Sequence, residues 1–370
     1  MKDVPRYFEP YVHDCFNNCY AAVIQHMGYK PQILLADYLS LMFDEESELL
    51  GANFMFRYSV SVEFTEEELN TSFEYAYLPQ TSLYVRDSAP SLKQDLLNIS
   101  MYILDDPIEA DARLRELLRR GKPVVLLVDL FYMPFHRAYQ KDHGLHAIVV
   151  TGFDDATDCY MVFDKYLLSS SDFDGMLAKD DLWKGRASQC PRYNPISGHY
   201  DRPIRHLWME FDTTPYFQVT AEKNLAMLKE SWKRMTGQRM LLGQPTGLER
   251  LEKFRHSLQK QKELTEIDER RIYFWRDYYN TILKRLARGR NRFKVFVEEI
   301  AAQLPPGAET VASHIGQSAK HWDIAANLFL KLAITKKLAL LDDIDRQLAQ
   351  VAELEQEAMA KIADMVQVRI

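Results

Sequence analysis

Hydrophobic and polar positions change their rhythm along this chain. Up to about residue 215, short β-rich runs alternate with helical patterns; beyond it the strand signals stop and helix formers dominate. Val124 to Leu130, Ala147 to Thr151 and Tyr160 to Phe163 are short apolar runs rich in valine, bounded by Gly121-Lys122-Pro123 and Gly152-Phe153-Asp154-Asp155. They predict neighbouring buried strands. Ile108 to Arg120, rich in Ala, Leu, Glu and Arg and stopped by Gly121, predicts a helix feeding the first of them. Helical patterns over about 220–236, 247–302 and 309–365, broken at Gly237, Gly243 and Pro305-Pro306-Gly307, predict an antiparallel bundle. The expected fold class is α/β (α+β), with a mixed domain over residues 1–215 and an α-helical domain over residues 216–370. Ser169 to Tyr200, rich in Ser, Asp, Gly and Lys, predicts a long loop or lid.

Composition narrows the classes. Hydrophobic residues make up 47% of the chain, as a packed globule requires. The opening MKDVPRYFEP carries charges and a proline where a secretory signal needs an apolar run, and no stretch reaches the length of a membrane span. A cytoplasmic protein without membrane attachment is expected. Four cysteines, at 15, 19, 159 and 190, are too few and too unevenly spaced for a disulfide framework and read as reduced thiols. A net charge of -7 argues against a general nucleic-acid binder. No phosphate-cradling glycine motif appears, so no cofactor is expected. His136, His143 and His146 lie close together, but without His-Glu-x-x-His or paired Cys-x-x-Cys spacing they predict no metal site.

The chemistry is expected at Cys15. From Asp14 to Gly28, the positions Phe16, Cys19, Tyr20, Val23 and Met27 recur at helical spacing, with Asp14 placed as an N-cap and Gly28 as a left-handed terminator. Cys15 therefore falls in the first turn, where the helix dipole and unpaired amides favour a thiolate and could hold an oxyanion. His146 starts the strand Ala147-Ile148-Val149-Val150-Thr151, and the following strand ends in Asp164. A hairpin between them would bring the carboxylate beside the imidazole, which with Cys15 gives nucleophile, base and orienting acid. Each residue alone has an ordinary reading: a small packing thiol, a satisfied histidine, a strand-end aspartate. The ordered set is what singles them out.

The spacing from Cys15 to Gly28 and the later His-strand-turn-strand-Asp pattern resemble the bacteriocin-processing cysteine peptidases. A closer resemblance is to the butirosin biosynthesis protein H family. It is carried by the Cys-helix-Gly segment, by Gly121-Lys122-Pro123-Val124-Val125-Leu126-Leu127-Val128-Asp129-Leu130-Phe131-Tyr132 and by His146-Ala147-Ile148-Val149-Val150-Thr151-Gly152-Phe153-Asp154, and it extends into the helical half around Trp322. The resemblance implies a papain-like catalytic core. It also implies transfer of an acyl or aminoacyl group from a phosphopantetheine thioester on an acyl carrier protein to a small-molecule amine, in specialised metabolite biosynthesis. By position, Cys15 would be acylated, His146 would shuttle the proton and Asp164 would orient it. Two positions depart from these patterns. Glu9 stands where papain-like peptidases place an oxyanion-hole glutamine, and Asp14 stands between His13 and Cys15 where the family has His directly before Cys. A peptidase, thioesterase or amide-forming cyclase would share the acyl-enzyme, and a catalytically silent binding or scaffold module would share the fold.

Tyr132, Asp129 and His136 follow the strand after Pro123 and read either as the lining of the acyl pocket or as an ordinary polar turn. The basic run Lys284, Arg285, Arg288, Arg290, Arg292 and Lys294 reads as a solvated helix face, with docking of an acidic carrier protein as the alternative, and the apolar faces of the C-terminal helices offer a homodimer interface.

Overall fold

The structure is a computed structural model that describes residues 3–6, 15–52, 97–164, 173–194, 198–213, 217–241 and 244–367. Helix and sheet are mixed, and the chain divides into two compact units.

The first unit is built on a six-stranded antiparallel sheet. Its strands are β3 (Leu97–Tyr102), β4 (Val124–Asp129), β5 (Leu145–Asp154), β6 (Cys159–Asp164), β7 (Phe173–Ala178) and β10 (Trp208–Thr213), in the order β3-β10-β4-β5-β6-β7. β4 and β5 are buried on both faces, which explains why they read as continuous apolar runs rather than as alternation. One face carries Leu126, Val128, Ile148, Val150 and Val162. It packs against Leu114, Leu117 and Leu118 of α3 (Pro107–Arg119) and Leu182 of α4 (Lys179–Ala187). The alternate residues Val125, Leu127, Ala147 and Val149 are as deeply buried, and on that side Tyr20 of α1 (Cys15–His26), which precedes the single turn α2 (Pro31–Leu34), meets Phe211 of β10 at 5.4 Å between ring centroids. Fully burying side chains of this size contributes about 1.5–3 kcal/mol each.

α3 starts as its sequence directs. Pro107 sits in its first turn and the Asp106 carboxylate accepts from the Ile108 and Glu109 amides at 2.8 and 3.0 Å. Asp106→Ala is expected to cost about 1 kcal/mol, seen as a lower urea midpoint with an unchanged slope; an unmoved midpoint would mean that the cap adds nothing. Deeper in the same helix, Asp111 ties α3 to β6 and α4 by accepting from Tyr160 and from Trp183 Nε1. Burial opposes its charge, but those hydrogen bonds and the cations Lys179 and Arg115 hold its carboxyl below the usual range.

The stretch from Ser169 to Tyr200, expected as a loop or lid, differs from that reading. Within it the described residues form β7, α4 and a hairpin of β8 (Arg192–Asn194) and β9 (Gly198–Tyr200). The reason is exposure: β7 is an edge strand and α4 buries only Leu182, Gly185 and Arg186, so most of its positions stay polar. Close approach needs Gly185, where a Cβ would lie 2.6 Å from the Met133 methyl and 3.5 Å from Val128 Cβ.

The second unit is mostly helical: α5 (Ala221–Met235), α6 (Leu248–Gln261), α7 (Glu269–Tyr273), a π-helical turn over Phe274–Tyr279, α8 (Asn280–Ile300), α9 (Ala308–Thr335) and α10 (Leu340–Gln367). It also takes in residues 36–52, which the boundary drawn near residue 215 assigns to the mixed half. There the hairpin of β1 (Met42–Asp44) and β2 (Leu49–Gly51) is held by the Tyr278 hydroxyl, which donates to the Leu50 carbonyl at 2.7 Å and accepts from its amide at 2.9 Å. The basic run on α8 does not form one solvated face. Arg290 is 1% exposed and bidentate to Glu355, and Arg292 pairs with Asp37. Among the described residues no helix is long and apolar enough to cross a membrane.

Candidate active site

α1 begins at Cys15, so the thiol stands at the helix N-terminus, half-buried, above an unbroken buried run from Asn18 to Ile24. Gly28 ends the segment in the left-handed conformation (φ 88°), with its amide on the Gln25 carbonyl and the Tyr29 amide on that of Ile24. Glu9, His13 and Asp14 lie outside the described residues.

His146 is the second residue of β5, opposite Val128, and Asp164 is the last residue of β6. The tight β5–β6 connection makes them meet. Asp154 closes that turn by accepting from the Ala156 amide at 3.0 Å and the Thr157 hydroxyl at 2.8 Å, and Asp158 adopts φ 49°. The antiparallel ladder runs back from the turn, with one register shift between Val150 and Gly152. It brings His146 Nε2 to 2.8 Å from Asp164 Oδ2, and both side chains are almost wholly buried. The Cys15 side chain hydrogen-bonds the same imidazole. Burial pushes the imidazole toward neutrality, but the negative charge of Asp164, that of the Cys15 thiolate and the hydrogen bonds to both outweigh it and hold its pKa well above the ordinary histidine value.

The three residues expected to line a pocket have distinct surroundings. His136 is buried, with its ring centroid 6.0 Å from that of His146, and its Nδ1 accepts from the Ala138 amide at 3.1 Å. Burial, then repulsion from His146, keeps its pKa below the usual value. Tyr132, half-buried on a 3-10 turn over Leu130–Tyr132, meets Phe131 edge-on at 5.1 Å. Asp129 is fully buried, and its carboxylate takes four protein donors: the Phe131 amide (3.1 Å), the Gly144 amide (2.9 Å), the Ser188 hydroxyl (2.6 Å) and His143 Nδ1 (2.6 Å). These bonds tie it to both ends of the 130–144 connection. His143 is the member of this group that pattern reading set aside; its signal was a histidine and a glycine directly before β5, fourteen residues after a strand-end aspartate. Among the described residues no group of three or more His, Cys, Asp or Glu side chains is placed to hold a metal ion.

Fold and site together define a mixed α/β unit that carries a cysteine–histidine–aspartate row. Residues 15–165 match the family model for butirosin biosynthesis protein H, N-terminal, a span that opens at Cys15 and closes one residue after Asp164. Over this span the chain is similar to the butirosin biosynthesis protein H family. No curated protein matches the chain.

Proposed function

We propose that this protein is a cysteine-dependent acyltransferase of antibiotic or other specialised metabolite biosynthesis, with a papain-like arrangement of its first unit. The observation that carries the reading is His146 held between the Cys15 thiol and the Asp164 carboxylate. A buried carboxylate on one ring nitrogen fixes tautomer and orientation and favours the imidazolium, which in turn favours the thiolate. The family match, whose name is that of a protein of butirosin biosynthesis, supports the metabolic setting.

In the reaction the Cys15 thiolate attacks the carbonyl carbon of a thioester on the phosphopantetheine arm of an acyl carrier protein. The new carbon–sulfur bond forms as the old one breaks, and the departing thiolate takes the proton of His146. An amine then attacks the acyl-Cys15 carbonyl, an amine proton passes to His146, and the Cys15 thiolate leaves. Peptidase, thioesterase and cyclase activities would share this acyl-enzyme and differ in the group that discharges it.

Intact-mass measurement after incubation with a panel of acyl-pantetheine thioesters tests the reading. One acyl adduct is expected on the wild type and on Cys19→Ser, and none on Cys15→Ser. An adduct that survives Cys15→Ser, or no adduct with any donor, would overturn it.

A further inference from the structure

Acyl transfer to an amine has a proton balance that one histidine does not close. At neutral pH an alkyl amine, with a pKa of about 10, arrives as an ammonium ion. It must lose one proton before it can attack and a second as the amide forms. His146 can take only one of these in each turnover, and taking it restores the thiolate–imidazolium pair.

We propose that His143 is the second base, and that it takes the first proton from the ammonium form of the acyl acceptor. This rests on the acyl-enzyme reading above. His143 Nδ1 is bound by the buried Asp129 carboxylate, which fixes the ring with its proton on Nδ1 and makes Nε2 the basic nitrogen. The side chain is 28% exposed whereas the Asp129 side chain is 0% exposed, so the carboxylate is hidden and the imidazole is reachable. The ring lies flat on Phe131, at 4.4 Å and 11°, with Tyr132 edge-on at 6.5 Å. These half-buried aromatic rings also suit an approaching ammonium ion. The Asp129 carboxylate is in turn fixed by Phe131, Gly144 and Ser188. That is more than a surface histidine needs. The other charged or titratable groups near this pair are Tyr132, Arg192, whose Nη1 donates to the His143 carbonyl, and Cys190, whose thiol is pushed above the usual pKa by burial and then by Asp129; Lys141 and Asp142 are neighbours of His143 in the chain.

Placement supports the role. Three residues of chain, at most about 10 Å, separate His143 from His146. Asp129 and Val128 are adjacent on β4, opposite Leu145 and His146, so the carboxylate that holds His143 and the imidazole of His146 start from neighbouring rungs of one ladder. The acceptor nitrogen gives one proton to His143 Nε2, which passes it to solvent. It then attacks the acyl carbon, and its second proton goes to His146 as the bond to Cys15 Sγ breaks.

The test is single-turnover discharge of the acyl-Cys15 enzyme by two probes: butylamine, protonated at neutral pH, and hydroxylamine, largely unprotonated there. His143→Gln should discharge about 100-fold more slowly than wild type with butylamine at pH 7. The variant's rate should climb about tenfold per pH unit as the free amine becomes available, closing the gap, and with hydroxylamine the two proteins should match. An equal deficit with both probes, unchanged by pH, would mean that His143 only props the loop and would overturn the proposal, as would no deficit with butylamine. If the wild type forms no acyl-enzyme at all, the reading of Cys15 falls and this inference with it; if it does and His143→Gln is silent, only this inference falls.

Discussion

His146→Ala should slow acylation of Cys15 by about a thousandfold at neutral pH and change how the thiol responds to pH. In the wild type Asp164 and Cys15 hold the imidazole's pKa well above the ordinary value, and on the proposed reading this imidazolium is the partner of the reactive thiolate. Alkylation by iodoacetamide should therefore stay nearly flat between about pH 6.5 and 8. In the variant it should rise about tenfold per unit, as for an ordinary thiol of pKa about 8.5. The sign for stability follows from the same shift. A histidine whose folded pKa lies above its unfolded value contributes stability that is fully present below about pH 6.5; that contribution is lost as the pH rises through the raised value. Alkylation of the variant that keeps the flat wild-type profile would mean that the imidazole does not govern the thiol, and the acyltransferase reading would lose its base.

Much of this arrangement is legible in the sequence because it is local. A helix bracketed by Cys15 and Gly28 needs only periodicity and a left-handed terminator, and the structure has both. β4, β5 and β6 announce themselves as valine-rich runs between turns, and a short turn between β5 and β6 forces them to be antiparallel neighbours. What strand order alone leaves open is depth: that His146 and Asp164 are almost fully buried follows from the layers above and below the sheet.

Long-range partners are where the pattern stops being informative. Asp129 reads as a strand-end residue able to meet a ligand, but its carboxylate is consumed by groups up to 59 residues away, with Ser188 the most distant. The same holds for the basic run on α8. Charge counting puts six cations on one solvated face, whereas the helix turns Arg290 inward to a carboxylate 65 residues later and Arg292 onto Asp37. β7 and α4 fail for the opposite reason: at the edge of the sheet they bury too little to show a period.

The buried pair in the second unit carries the other large expected effect. Glu355, with no exposed surface, accepts from Arg290 Nε at 2.9 Å and Nη2 at 3.0 Å, from Ser318 at 2.6 Å and from Trp322 Nε1 at 2.9 Å. Arg290 completes its contacts on the Ser40 carbonyl at 3.0 Å, so α8, α9, α10 and the segment before β1 converge on one carboxylate. Burial works against the charge of Glu355, but Arg290 and the hydrogen bonds from Ser318 and Trp322 hold its pKa below the ordinary value. Its contribution is therefore present above about pH 4.3 and lost as the pH falls through the depressed value. Glu355→Ala should destabilise the protein by about 3–5 kcal/mol, because it strands a buried guanidinium rather than because the pair is strong. The combination Arg290→Met with Glu355→Leu separates these causes. Removing both charges should recover part of the loss in urea unfolding, with only Ser318 and Trp322 left without an acceptor. A double variant as unstable as the sum of the two single changes would show that the charges are not coupled and that the cost lies in packing.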